Sequence, residues 1–437
     1  MTAQSDGSIA RTEIQGEGQE IAVVGAGIIG VTTAYHLARA GHRVTVIDRA
    51  AGPAETCSFA NAGIIAVGHA ESWAGPDAPR QMLRALAGRD PSVRVSRLLD
   101  PALWRWGLGF LRNCSTAAHK RNSDAMLRLA RLGRSTLQQM EAELGFPFAQ
   151  GHDGVVYLYT SARQFAARLQ GPIGGETGFA ACSADQLTEL EPALSAFAGQ
   201  LQGGLVSNVD SKGDCRSFAR QLADWLAREK GVRFRFGCEV AGIERDANRA
   251  NALLTDQGRI DCAQIVLATG VATPRLLRPL GLRASIYPVK GYSATYPILD
   301  PSRIPARPFV DETSLLAVTR LDDRLRVTAI AEFAGHDNRV RPDRLAYLDD
   351  YVRRHFKGAV DLDGASHWAG LRPTTPSGRP YLGQLKPVPN IWINAGHGQL
   401  GWTMSAGAGL VLANQIAGQA SGLGAISEQA GWLNAPQ

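Results

Sequence analysis

The stretch Glu20 to Arg49, EIAVVGAGIIGVTTAYHLARAGHRVTVIDR, constrains the fold more than any other part of the chain. Ile21 to Val24 is a short apolar run rich in β-branched residues that stops at Gly25, the pattern of a buried parallel strand running into a turn. Gly25, Gly27 and Gly30 then stand in G-x-G-x-x-G spacing. Ile29 to Ala40 suits a helix that Gly41 ends, and Arg43 to Ile47 is a second apolar strand closing on Asp48. The whole reads as one βαβ unit of about thirty residues. Gly25 permits the tight turn, Gly27 lets backbone approach a pyrophosphate with no Cβ in the way, and Gly30 lets helix and strand pack closely. The pyrophosphate then meets the free N–H groups and the positive end of the helix. Asp48 is placed to accept hydrogen bonds from ribose hydroxyls, and its charge would repel a 2′-phosphate. A glycine triplet alone often marks an ordinary strand-to-helix turn. The strand before it, the helix after it and the acid beyond are what point to a dinucleotide.

A chain of 437 residues is long enough for two or three domains with their own cores. Its 48 glycines exceed the usual share of about 7%, as expected where backbone passes close to a large ligand. The net charge of +6 is modest, and no basic cluster interleaved with aromatics appears, which argues against nucleic acid. Cys57, Cys114, Cys182, Cys215, Cys238 and Cys262 are scattered, without C-x-x-C pairs or histidines at ligand spacing, so neither a metal site nor a disulfide framework is expected. They read as small buried hydrophobes suited to a reducing compartment. Residues 1–18 read as a disordered tail rather than a signal peptide. No apolar stretch reaches the 18 residues of a membrane span. The chain is therefore expected in the cytoplasm, with peripheral contact on the inner face of the cell membrane as the alternative.

Glu55 to Gly63, ETCSFANAG, reads as a loop, and helices are expected over Gln81 to Leu86, Ala102 to Leu111 and Asp124 to Leu144. Leu103, Trp104, Trp106, Leu108, Phe110 and Leu111, followed by Lys120 and Arg121, either form core or dip into a membrane surface. Downstream, Gly154 to Tyr159 and Val232 to Phe236 read as strands, Phe218 to Glu229 as a helix introduced by Asp214, and Ile260 to Gly270 as a third Rossmann-type strand. Tyr287 to Tyr296, Leu315 to Thr319 and Leu325 to Ile330 suggest a separate antiparallel sheet with a hairpin turn at Asp322-Asp323. Leu345 to His355 is a helix. Strand Ile391 to Asn394, glycine turn Gly396 to Gly401 and apolar helix Trp402 to Ala417 repeat the opening logic.

Five segments together resemble the D-amino acid oxidase group of FAD-dependent oxidoreductases, and most of all the bacterial D-amino acid dehydrogenases. They are the βαβ unit at 23–48, SFANAG at 58–63, GDC at 213–215 with Phe218, GLRPTTPSGRPYLG at 370–383 and NAGHGQLGWTMSAGAG at 394–409. The resemblance implies an α/β fold: a discontinuous Rossmann-type FAD-binding domain (19–90, 207–284 and 367–437) and a substrate domain on an antiparallel sheet (91–206 and 285–366). It also implies FAD in an extended pose. Gly25, Gly27, Ile28, Ile29, Gly30, Asp48 and Arg49 would hold the ADP half, and Thr56, Ser58, Asn61, Ala62 and Gly63 would lie along the ribityl chain and flavin. Val240 would meet the adenine side, Thr269 and Gly270 the pyrophosphate edge, and Gly398, Leu400, Gly401 and Thr403 the pyrimidine end of the ring.

Arg372 is the candidate for gripping a substrate carboxylate with its planar fork; the alternative is an internal ion pair. Arg379 reads as structural. Lys290 and Tyr292 fall on one face of a strand and Tyr287 on the other, so the first two either frame the pocket or form a solvated face. His397 is a candidate near the flavin, though both it and His367 read equally well as satisfied structural histidines. The implied reaction is oxidative deamination of a D-amino acid, with hydride passing from the α-carbon to flavin N5 and the imino acid hydrolysing to a 2-oxo acid and ammonia. The protein must chiefly orient, grip and exclude water. Electrons would go to a quinone or other carrier. Alternatives are oxidation of D-proline, hydroxyproline, sarcosine or glycine, and an FAD-bearing relay subunit of a heteromeric complex. An NAD dehydrogenase is disfavoured by the later motifs.

Overall fold

The computed structural model describes residues 18–87, 92–171, 173, 178–197 and 199–419. The tail expected over 1–18 lies, apart from Gly18, outside them. Two sheets organise the chain.

The first has six strands in the order Tyr381–Gln384, Ile391–Ala395, Gln264–Leu267, Glu20–Val24, Arg43–Ile47, Arg233–Arg235, parallel except at the Tyr381–Gln384 edge. Its side chains sort by the period-two rule. Ile21 and Val23 enter a core shared with the helices, whereas Ala22 and Val24 enter a second core on the opposite face. Helices Ile28–Arg39, Cys215–Glu229, Gly401–Ile416 and Thr116–Leu144 share the first core. Gly133 and Gly407 let two of them touch backbone to backbone: a Cβ at Gly133 would stand 2.1 Å from the Thr403 carbonyl oxygen. Thr32 ties a third helix in by donating to the Ser405 carbonyl at 3.0 Å.

The opposite face is covered by a three-stranded antiparallel sheet, Val240–Asp246, Arg249–Thr255 and Gly258–Asp261. This splits the single strand expected over Ile260 to Gly270. Asp261 pairs with Ala252 in the small sheet, Cys262 N–H donates to Asn251, and only Gln264–Leu267 joins the parallel sheet.

The second sheet runs Ser366–Thr374, Tyr287–Pro297, Arg324–Phe333, Leu316–Leu321, Phe309–Asp311, Val155–Tyr159, Gly203–Ser207, Phe179–Cys182, with Val93–Val95 beside Arg324–Phe333. It is mixed rather than wholly antiparallel: Val155–Tyr159 and Val93–Val95 pair in parallel. Helix Pro342–His355 covers one face, and the other looks across a cleft toward the first sheet. The strand Ser366–Thr374 carries Arg372 and belongs to this sheet, although the domain boundaries expected above place 367 onward with the dinucleotide domain. The helix expected from Asp124 begins at Thr116, where Ser115 caps it by accepting from Ala118 N–H.

His36 on the first helix is buried between helices, and burial lowers its pKa to about 3. The folded value lies below the unfolded value of about 6.5. The unfolded chain therefore takes up a proton that the folded chain refuses as pH falls from about 6.5 toward 3, and stability declines across that window. We expect His36→Leu to remove on the order of 2 kcal/mol of the stability lost between pH 7 and pH 4.5, read from urea unfolding at both pH values. Identical pH slopes for variant and wild type would contradict this.

Candidate active site

A cleft of about 840 Å³ runs between the two sheets. The turn after the first strand forms one end. Gly25 has φ +108°, and a Cβ there would lie 2.5 Å from the Ala268 carbonyl oxygen. Gly30 is tighter still, with an added Cβ 1.8 Å from the Gly25 carbonyl oxygen. Gly27 meets only the Ser58 hydroxyl at 3.5 Å and opens on the cleft. Asp48 sits at the rim, its two oxygens accepting from Ala26 N–H at 2.6 Å and Ala50 N–H at 2.8 Å. These bonds join the glycine turn to the end of the second strand and fix the carboxylate where a ribose would reach it.

The segment 55–63 lines the middle. Ser58 accepts from Ile28 N–H at 3.2 Å, and the Asn61 side chain accepts from Gly63 N–H at 3.0 Å. Arg326, buried in the second sheet, donates to the Asn61 carbonyl at 3.3 Å and lies 3.8 Å from Asp214. Asp214 itself caps helix Cys215–Glu229. The GDC segment thus ties the cofactor loop to the substrate sheet.

Ile28, Ile29, Arg49, Thr56, Ala62, Val240, Thr269, Gly270, Gly398 and Gly401 also line the cleft. Gly30, Gly63, Leu400 and Thr403 do not. Thr403 accepts from Ala66 N–H at 3.0 Å, and the Gly63 carbonyl accepts from Gly213 N–H at 2.8 Å, so both support the wall from behind.

Arg372 reaches over Gly291, where a Cβ would stand 2.3 Å from its guanidinium. It donates to the Ile330 carbonyl at 3.0 Å. No carboxylate among the described residues lies within ion-pair distance of it. Burial lowers its pKa, the direction expected for a cation short of counter-charge. Ile330 holds φ +68°, a strained conformation for a β-branched residue, and this aims its carbonyl at the guanidinium. No sequence signal marks that strain. Cys57 faces Arg372 in the same cleft, and burial pushes its thiol up to about 11.

Tyr292 lines the cleft with its ring, but its hydroxyl donates to the buried Glu332 at 2.5 Å. Lys290 Nζ lies 3.4 Å from the same carboxylate, fully buried. The two residues do share a face, and that face is a buried polar network rather than a solvated one. Tyr287 points the other way and donates to Asp100 at 3.0 Å. His397 is buried in the cleft wall, neither ring nitrogen has a partner, and burial lowers its pKa to about 3. His367 lies outside the cleft, paired with Asp349 at 3.0 Å.

These residues fit an FAD molecule. Both His397 ring nitrogens and the Asn394 side-chain oxygen are buried polar atoms awaiting partners in the cleft wall. The glycine turn leaves room for a pyrophosphate. Gly401 opens a sixteen-residue helix at the other end, offering positive dipole charge to an electron-rich ring edge. Fold and site together define a flavin-dependent oxidoreductase whose cleft holds a buried arginine.

Comparison with known proteins narrows the class. Residues 20–415 match the family model described as FAD dependent oxidoreductase, and the chain belongs to that family. It is 43% identical to a D-amino acid dehydrogenase of Cereibacter sphaeroides over 403 residues, covering 92% of each chain. It is 41% identical to a D-amino acid dehydrogenase of Rhizorhabdus wittichii, covering 92% of this chain and 96% of the other. Glycine oxidase from Geobacillus kaustophilus shares the fold, with a TM-score of 0.69 at 21% identity over 96% of this chain and 100% of that one.

We expect Gly30→Ala to destabilise the protein by about 1–3 kcal/mol through overpacking and to lower the flavin content of the purified protein, read from urea unfolding and visible absorbance. Wild-type stability and flavin content in that variant would contradict the assigned contact.

Proposed function

We propose that the protein catalyses oxidative deamination of D-amino acids to 2-oxo acids and ammonia, and that the electrons pass to a quinone or other carrier. The observation that carries the reading is the Arg372 guanidinium, which faces the cleft with one carbonyl as its hydrogen-bond partner. An α-carboxylate completes it with two parallel N–H···O bonds. The similarity to proteins named D-amino acid dehydrogenase supports both the substrate class and a carrier rather than oxygen as acceptor. A relay subunit has no use for such an arginine.

Bound FAD supplies the two-electron acceptor for the hydrogen leaving the α-carbon. The chain's own residues hold and align the substrate. Arg372 fixes the carboxylate, while Trp368, Tyr292 and Ile330 wall the pocket and exclude water. Among the described residues no general base is poised at this end of the cleft. Tyr292 has its hydroxyl turned to Glu332, and burial, reinforced by that carboxylate, raises its pKa far above neutrality. His397, neutral down to about pH 3, offers its nitrogens to the cofactor rather than carrying charge.

We further propose that the carrier is approached from a membrane surface. Among the described residues, no helix is long and apolar enough to cross a membrane. Helices Ala78–Leu86 and Pro101–Arg112, however, leave Leu83, Leu86, Trp104, Leu108 and Leu111 exposed beside Arg80, Arg84, Arg105 and Arg112. Trp106 and Phe110 on the inner side of the same helix are core. An apolar stripe flanked by cations is the pattern of an interfacial helix.

Under anaerobic conditions a D-amino acid should bleach the oxidised flavin, whereas its L-enantiomer should not. Arg372→Leu should weaken D-amino acid binding by several kcal/mol while keeping its flavin; unchanged saturation would dispose of the assignment. Vesicles containing anionic lipid should co-sediment the wild-type protein, and Leu108→Glu with Leu111→Glu should abolish this. Failure of the wild-type protein to bind such vesicles would rule out the surface.

A further inference from the structure

The mixed sheet measures the cleft. Val289 pairs with Arg372, Tyr292 with Ala329, Ala329 with Leu316, and Leu316 with Asp311. Arg372 reaches over Gly291 to the Ile330 carbonyl, and two strands further along stands Glu312, also in the cleft wall. At about 4.8 Å per strand the Glu312 backbone lies roughly 10 Å beyond Ile330.

Glu312 faces the imidazole of His69 at 3.2 Å, and His69 stacks on Tyr157 with ring centroids 5.4 Å apart. The Tyr157 hydroxyl donates to Asp210 at 2.7 Å, and Asp210 also accepts from Gly68 N–H. Crowding around the His69 ring lowers its pKa, but Glu312 first, then Glu71 and Asp210, outweigh that and lift it to about 9. Of these groups only His69 and Glu312 line the cleft, while Glu71 and Asp210 stand behind its wall. Arg134, whose charge acts on Asp210, does not line the cleft.

The cleft therefore carries a cation without a carboxylate partner at Arg372 and, further along, a carboxylate at Glu312 whose partner is the imidazole of His69. We propose that His69 and Glu312 form the side-chain end of the substrate pocket and select D-amino acids carrying an ammonium or guanidinium on a chain of three or more carbons. The assignment rests on Arg372 holding the α-carboxylate. The substrate is then stretched along the sheet, its distal cation displacing or sharing His69 as the partner of Glu312.

The test compares D-lysine with D-norleucine, which has the same length but no charge, as reductants of the flavin-loaded protein under anaerobic conditions. The wild type should favour D-lysine at least tenfold in second-order rate of flavin reduction. In Glu312→Gln the ratio of the two rates should fall at least tenfold, with oxidised-flavin absorbance retained as the sign of a folded site. A wild type that prefers D-norleucine, or a ratio unmoved in Glu312→Gln, overturns the proposal. Rapid reduction by D-alanine without preference for D-lysine defeats this subsite alone. Reduction by no D-amino acid defeats the underlying functional reading and this proposal with it.

Discussion

A guanidinium held in a cleft with one backbone carbonyl for company is the constraint around which the rest of this structure is arranged. Removing a cation from bulk water is costly unless counter-charge and hydrogen bonds replace its hydration. Here the counter-charge must come from outside the protein. The surroundings enforce this: Gly291 makes room that any Cβ would close, and Ile330 accepts a strained backbone to turn its carbonyl toward the arginine. On the proposed reading such a site completes itself by binding an anion, and a planar, bidentate carboxylate suits the guanidinium fork.

The position of that arginine matters because two sheets of different provenance face each other across the cleft. The parallel sheet brings the glycine turn, Asp48 and the start of helix Gly401–Ile416 to one wall. The mixed sheet brings Arg372, Tyr292 and Glu312 to the other. Among the contacts that fix their relation are directional polar ones: Arg326 to the Asn61 carbonyl, Arg326 and Arg324 to Asp214, and Lys212 to the Arg320 and Ala306 carbonyls. Close glycine contacts at Gly133 and Gly407 bring the long helix into the same body. The two walls of the cleft are thereby held in one frame.

Most of the nucleotide wall was legible in the residues, because each of its demands has a local signature. A left-handed φ at Gly25 and a collision avoided at Gly30 can be met by only one residue type, and an apolar run ending in Asp48 announces where a strand stops. The substrate wall was less legible. Its decisive features are made by register: Ile330 meets Arg372 from forty-two positions away, and Glu312 reaches the cleft by sheet order alone. Lys290 and Tyr292 were readable as sharing a face, but not that the face is closed over Glu332, since alternation says nothing of what lies opposite. The break at Asp261 was hidden for a similar reason. A strand-like stretch looks the same whether it serves one sheet or changes sheets midway.

The account is tested most directly by asking whether the carboxylate itself is what the site recognises. Titrating the flavin-loaded protein anaerobically with a D-amino acid and with the corresponding D-amino acid amide, and following the flavin spectrum, isolates that one group. Loss of the ionic partner of Arg372 should weaken apparent binding of the amide by roughly 100-fold or more, in keeping with several kcal/mol for a desolvated charge pair. An amide that saturates the site at the same concentration as the acid would contradict the account.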